Sequence, residues 1–222
     1  MTTRQLRVDF HTHSRFAIST SPSLDIETLS ATAQRKGLDV LTTGDFTHPV
    51  WRDELKDDLS EASDGVYLSA AGTHFILGTE ISCVFKQNGR GRRVHVLVLV
   101  PDFQAADALS DRLSKLARLE SDGRPIIKIS ALDLALMVWD LDERSVIIPA
   151  HVWTPWYGLL GSKSGFDSIE EAFGEYSDRI RAVESGLSSD PAMNRRLRKI
   201  IANSCIRDNS PRTFLLTRFL NN

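Results

Sequence analysis

His11, His13, Asp45, Glu80, His95 and His151 are all residues of metal-binding type, and each lies in or beside a short apolar run. Neutral imidazole and carboxylate oxygen are common protein ligands of zinc, manganese and magnesium ions. His11-Thr12-His13 follows the run Leu6–Phe10. Side chains of an extended chain alternate in direction, so residues i and i+2 share a face and two such imidazoles can close on one ion. Asp45 comes after Leu38–Thr43, Glu80 closes the run from Phe75, His95 lies inside Arg93–Leu97, and His151 ends Val146–Ala150. In folds built on parallel strands, chemistry gathers at the C-terminal strand ends. Taken singly, these residues have structural explanations: a hydrogen-bonded core histidine for His95, a capping carboxylate for either acid. His74 reads as a loop residue, and His48 as either a loop residue or an outer ligand. Taken together, the set points to a polynuclear metal site.

The elements that must position such a site read as alternating strands and helices. Candidate strands are Leu6–Phe10, Leu38–Thr43, Phe75–Ile81, Val94–Val100, Val146–Ala150 and Ile180–Glu184. A helix is expected over Asp25–Lys36, after Ser-Pro-Ser and stopped by Gly37. A second, over Ala105–Leu119, sets Leu109, Leu113, Leu116 and Leu119 on one face, and a third, Met193–Ala202, is basic and amphipathic. Apolar strands separated by helices argue an α/β fold with a parallel sheet, closed or flanked by helices. Without an internal repeat or a low-complexity linker, residues 1–222 read as one domain.

A net charge of −2 does not by itself announce a nucleic-acid partner. The segment Arg181–Asn222 is more basic, with eight Lys/Arg against three acids; Arg195-Arg196-Leu197-Arg198-Lys199 reads as a solvated helix face before a phosphate-binding patch. Cys83 and Cys205 form neither a disulfide framework nor a Cys-x-x-Cys motif, as expected of a cytoplasmic protein. The N-terminus lacks a signal-peptide core, and no apolar run approaches the roughly 20 residues of a membrane span.

Longer motifs carry a family resemblance. Asp9-Phe10-His11-Thr12-His13-Ser14-Arg15-Phe16, Thr43-Gly44-Asp45-Phe46-Thr47-His48-Pro49-Val50-Trp51 and Arg93-Val94-His95 resemble the polymerase and histidinol phosphatase (PHP) family. So do Pro149–Trp156, Gly161–Ser168 and Glu184–Pro191, and all six segments are similar to the endonuclease Q branch of that family. The resemblance spans about residues 6 to 204. It implies an irregular (β/α)7, TIM-like barrel whose last strand and helix are incomplete here, and a metal-dependent phosphoesterase that nicks DNA near deaminated bases. It implies two to three divalent ions, zinc, manganese or magnesium. His11 and His13 would bind the first, Glu80 would bridge to a second held by His95 and His151, and Asp45 with His48 would serve a third. Glu80 and Asp45 would be the catalytic carboxylates. Ser162, Lys163 and Ser164, in a glycine-flanked loop, could contact phosphate. Trp153, Trp156 and Tyr157 either stack on an extruded base or pack under the barrel mouth.

The family's final Asp-x-His is missing. Here the corresponding segment reads Asn203-Ser204-Cys205-Ile206-Arg207-Asp208, with Cys205 where the carboxylate is expected and Asp208 as an alternative ligand. Residues 212–222 match nothing in the family, as in a truncated or frameshifted copy. Fewer bound metals and impaired hydrolysis are the expectation. A small-molecule phosphatase on the same barrel, or an inactive metal-binding remnant, is the competing reading.

Overall fold

Helix α1 (Ile26–Lys36) shows how closely local chemistry sets the frame. Asp25 caps it by accepting from the Thr28 amide at 2.8 Å, and Gly37 closes it in the left-handed region. The cap is worth about 1 kcal/mol. Its inner face buries Ile26, Leu29 and Ala33. The chain is seen here as a computed structural model that describes residues 6–186, 192–195 and 214–216. They form two compact units. The first gathers the chain up to Glu80 with Val98–Pro125 and Trp139–Ser145; the second gathers Ile81–Leu97, Ile126–Val138 and the chain from Val146.

In the first unit, β1 (Val8–Asp9) pairs in parallel with β2 (Val40–Thr42), with α1 as the crossover. The crossover is required because parallel neighbours cannot be joined by a tight turn. β2 pairs in parallel with the start of β5 (His74–Gln87), Val40 opposite His74. Helix α2 (Pro49–Asp58) was not among the expected elements. It has proline in its first turn, where a missing N–H costs nothing, and buries Trp51 and Leu55 completely. The hairpin β3 (Leu59–Ser63) and β4 (Val66–Ser69) adds antiparallel strands beside β5 to the expected parallel arrangement. The cause is local: the Asp64-Gly65 turn is too short for anything but an antiparallel return.

In the second unit, β5 and β6 (Arg90–Val100) are joined by Asn88-Gly89, both at positive φ (52° and 75°). That is the type I′ turn that favours Asn-Gly. Both strands are longer than expected, because Ser82–Arg93 mixes charged and apolar residues and hides its alternation. β7 (Ile126–Ile127) pairs with β5 at Ser82–Cys83. Helix α4 (Ala131–Leu141) opens on a reciprocal cap: Asp133 N donates to Ser130 Oγ at 3.0 Å, and Ser130 Oγ donates to Asp133 Oδ2 at 2.7 Å. β8 (Val146–Pro149) pairs with β6. Helix α5 (Ile169–Phe173) leads to β9 (Ala182–Glu184), which pairs in parallel with β10 (Phe214–Leu216). A strand therefore follows β9, drawn from the tail that the family resemblance does not reach.

Helix α3 (Phe103–Ser114) begins earlier and ends earlier than its apolar stripe suggested. Asp102 caps it by accepting from the Ala105 amide, and the amides of Leu116 and Ala117 both fold back onto the Leu113 carbonyl. Of the expected basic helix, residues 192–195 are helical and the rest lies outside the described residues. Among the described residues, no helix is long and apolar enough to cross a membrane. Cys83 is fully buried, which pushes its thiol pKa up and leaves it inert.

Candidate metal centre

In the first unit the cluster is built on the ends of β1 and β2 and on the middle of β5, which runs on past Glu80 to Gln87 where the sequence suggested that the glutamate closes the strand. Asp9 accepts from the His11 amide at 3.1 Å and turns the chain out of the strand. Thr12 donates to the Thr42 carbonyl at 2.7 Å and so ties this turn to β2. The His11 and His13 rings meet edge to face, 5.2 Å between centroids. Glu80, 1% exposed, faces both: His11 Nε2 is 3.4 Å from Oε1, and His13 Nε2 is 3.4 Å from Oε2. One ligand atom from each of His11, His13 and Glu80 lies within 4.8 Å of the other two. Two ligand atoms on one ion, each about 2.0–2.1 Å away, stand about 3.3 Å apart at a tetrahedral angle. The observed spacings fit a divalent cation.

Asp45 supplies the layer behind these ligands. Its Oδ1 accepts from His13 Nδ1 at 2.9 Å, which turns Nε2 toward Glu80. Its Oδ2 accepts from the Ser14 amide at 2.6 Å and the Ser14 hydroxyl at 2.8 Å. Asp45 is fully buried and held in the left-handed region, φ 50°. Gly123 lies against it, so close that a Cβ there would sit 2.6 Å from Asp45 Cγ. Burial by itself favours neutral His13, but the hydrogen bonds to Asp45 and Glu80 and their charges prevail and raise its pKa to about 9. Arg124 adds a half-buried guanidinium 3.5 Å from Glu80 Oε2.

His48 stands apart from this ligand group. Its Nδ1 accepts from the Trp51 amide as the N-cap of α2, its Nε2 lies 3.2 Å from the Glu120 carbonyl, and its ring stacks on Phe16 at 4.1 Å. Burial lowers its pKa and keeps it neutral. His74 opens β5 and is exposed.

The second unit holds the other histidines. His95 Nδ1 and His151 Nε2 face each other at 3.2 Å, again a spacing two nitrogens adopt on one ion. His151 Nδ1 lies 2.8 Å from Thr154 Oγ1, which fixes the ring. The His151 amide donates to Glu184 Oε2 at 2.8 Å, and the backbone there is at φ 30°. Tyr157 packs on His95, 4.4 Å between ring centroids. In the following loop, Ser164 Oγ donates to the Arg93 carbonyl and accepts from the Tyr157 amide, while Ser162 and Lys163 are exposed. Trp153 is partly buried; Trp156, 53% exposed, lies under the Arg93 guanidinium at 5.4 Å. Cys205 and Asp208 lie outside the described residues.

Sequence reasoning missed Ser14, Arg124, Thr154 and Glu184 as supports of these ligands. Glu184 carried a usable signal, since it ends an expected strand just as Glu80 does.

No family model matches the chain. An uncharacterized protein of Methanocaldococcus jannaschii, MJ0043, is 32% identical over 163 residues, 73% of this chain and 18% of that protein. The crystal structure of the lesion-specific endonuclease PfuEndoQ from Pyrococcus furiosus superposes with a TM-score of 0.71 at 30% identity. Endonuclease Q in complex with a 27-mer duplex bearing an abasic lesion gives 0.72 at 31%. Each covers 83% of this chain and 43% of the other. A metal-dependent phosphoesterase by name, from Bifidobacterium adolescentis, shares the fold at 14% identity, with a TM-score of 0.53 over 96% of this chain and 86% of its own. The chain thus spans less than half the length of the endonuclease Q chains and less than a fifth of the curated relative. Its α/β fold with buried His/Glu clusters, and its likeness to endonuclease Q, are those of a PHP-like domain.

Proposed function

We propose that residues 1–222 work as one metal-dependent phosphodiesterase domain that acts on DNA, in the manner of endonuclease Q. The observation that carries this reading is the His11–His13–Glu80 cluster with Asp45 behind it, a donor set and spacing suited to a divalent cation. His95 and His151 supply ligands for a second ion. Zinc, manganese and magnesium all suit such a set. Bound ions would neutralise phosphodiester oxygens, lower the pKa of a water and stabilise the leaving oxygen. The chain's own residues do the rest. Asp45 holds the His13 tautomer, Thr154 holds the His151 ring, and Arg124 offers a cation to a phosphate oxygen. Trp156 presents an exposed face for a base. Deaminated or otherwise damaged DNA in the cytoplasm is the proposed substrate.

The missing Asp-x-His sets the expected strength of the activity. Without that carboxylate the chain holds fewer than three ions and hydrolyses slowly. Metal analysis of the wild-type chain, His11→Ala and Glu80→Ala tests the site, and nicking of uracil-containing duplex tests the substrate. We expect both variants to lose metal, and Glu80→Ala to lose hydrolysis of bis-p-nitrophenyl phosphate by about 10³-fold, several kcal/mol of metal assistance. Unchanged metal content in both variants refutes the site assignment. Three ions per chain with robust nicking refutes the impairment.

A further inference from the structure

The β5–β6 hairpin carries a charge pattern that the ligand cluster does not use. From Ile81 to Pro101 there are four Lys/Arg and no acid. In the second unit, this hairpin and the segment Lys128–Asp133 wall a groove of about 620 Å³, lined among others by Lys86, Arg92, Arg93, Lys128 and Asp133.

These charges are not equivalent. Arg92 is buried; it donates to the Gly165 carbonyl and, at 2.8 Å, to Glu171, and its guanidinium lies 4.2 Å over the Phe166 ring. It is a structural cation. Asp133 commits a carboxylate oxygen to Ser130 at the start of α4. Lys86, Arg93 and Lys128 remain exposed along the walls. The groove therefore presents a local excess of positive charge that the net charge of −2 conceals.

Its direction follows from strand geometry. Arg93 and His95 are two residues apart on β6 and share one face, while Val94 points into the core. The Arg93 backbone is fixed by Ser164 at both its amide and its carbonyl, and its guanidinium lies over the half-exposed ring of Trp156. Exposed cations in a row, ending at an aromatic face beside a candidate ligand, match a strand of nucleic acid, with its repeating phosphates and stacking bases.

We propose that this groove is the track for the DNA backbone, with Lys86, Arg93 and Lys128 on phosphates and the Arg93–Trp156 pair as the contact next to His95. The proposal rests on the DNA-directed reading above. The test measures binding of a uracil-containing duplex across a salt series for the wild-type chain and for Lys86→Ala/Arg93→Ala/Lys128→Ala. Each phosphate contact contributes about 0.9 to the slope of log affinity against log salt, so the variant should lose about 3 from that slope. Metal content and bis-p-nitrophenyl phosphate hydrolysis should not change. Salt-dependent wild-type binding with an unaltered variant overturns the track and leaves the DNA reading standing. Wild-type chain that shows no salt-dependent binding overturns both. Should the triple variant lose metal, Lys86→Glu/Lys128→Glu, which leaves Arg93 in place, takes over the same comparison.

Discussion

The two histidine pairs are supported in different ways. In the first unit His13 is held from behind by a buried carboxylate, itself clamped by the Ser14 amide and hydroxyl. In the second, His151 is held by the hydroxyl of Thr154. Both devices fix which ring nitrogen faces the pair. Only the carboxylate also makes the imidazole more basic and lends negative charge to a bound cation. The carboxylates on the first pair would strengthen a cation's hold there, whereas the Thr154 hydroxyl orients His151 without adding charge. The groups behind the ligands would thus grade metal affinity within one fold.

Removing each support should reveal that grading. Asp45→Asn should weaken metal binding toward the 100-fold end of the range for outer-shell partners, and Thr154→Val should stay near about 10-fold, by calorimetric titration with zinc or manganese. Equal losses would erase the distinction. Two glycines, one against Asp45 and one against His151, offer a second comparison. Gly123→Ala would drive a Cβ to within 2.6 Å of Asp45 Cγ, and Gly186→Ala one to within 2.9 Å of His151 Cβ at φ 72°. Each should cost about 1–3 kcal/mol of stability. The loss should be the larger at Gly123, because Asp45 is tied by three hydrogen bonds and cannot give way. Denaturant midpoints measure both.

The smallest effect is the dependence on pH. In the metal-free chain His13 has a pKa of about 9, above the ordinary 6.5. Its contribution to stability is complete below 6.5 and is lost as pH rises through 9. Metal binding has the opposite sign, since the proton must leave first, and affinity should rise by up to about tenfold per pH unit toward 9. Burial depresses the His48 pKa, so its contribution is present above 6.5 and fades on acidification. Thermal melts of the metal-free chain and metal titrations from pH 6 to 9 should therefore slope in opposite directions. Parallel slopes would show that the Asp45–His13 pair does not govern the site.

Much of the site was legible in the residues themselves. His11, His13 and Glu80 are legible as candidates because His, Asp and Glu are common metal ligands and an apolar run announces the strand each follows or lies in. Helix α1 was legible because its stop signal, Gly37, is local. The Ser130–Asp133 cap of α4, the proline of α2 and the Asn88-Gly89 turn were equally local but not legible: α4 is apolar on nearly every face and so shows no period, and charges interrupt the pattern around the other two. Arg124 and Thr154 were not legible at all. Nothing in an isolated Ser-Asp-Gly-Arg-Pro says that its arginine will stand beside a glutamate 44 residues earlier.

The order of residues alone determined which groups are of cation-binding type, that they lie in or beside apolar strand segments, and which family of folds they resemble. Those properties are local: ligand type, alternation along a strand and turn chemistry act over a few residues. Only the tertiary structure decided which nitrogen of His13 and His151 faces its partner, that Asp45 stands behind His13, that His48 caps a helix, and that Lys86, Arg93 and Lys128 wall one groove. Those are distances between residues far apart in the chain, and packing, not propensity, sets them.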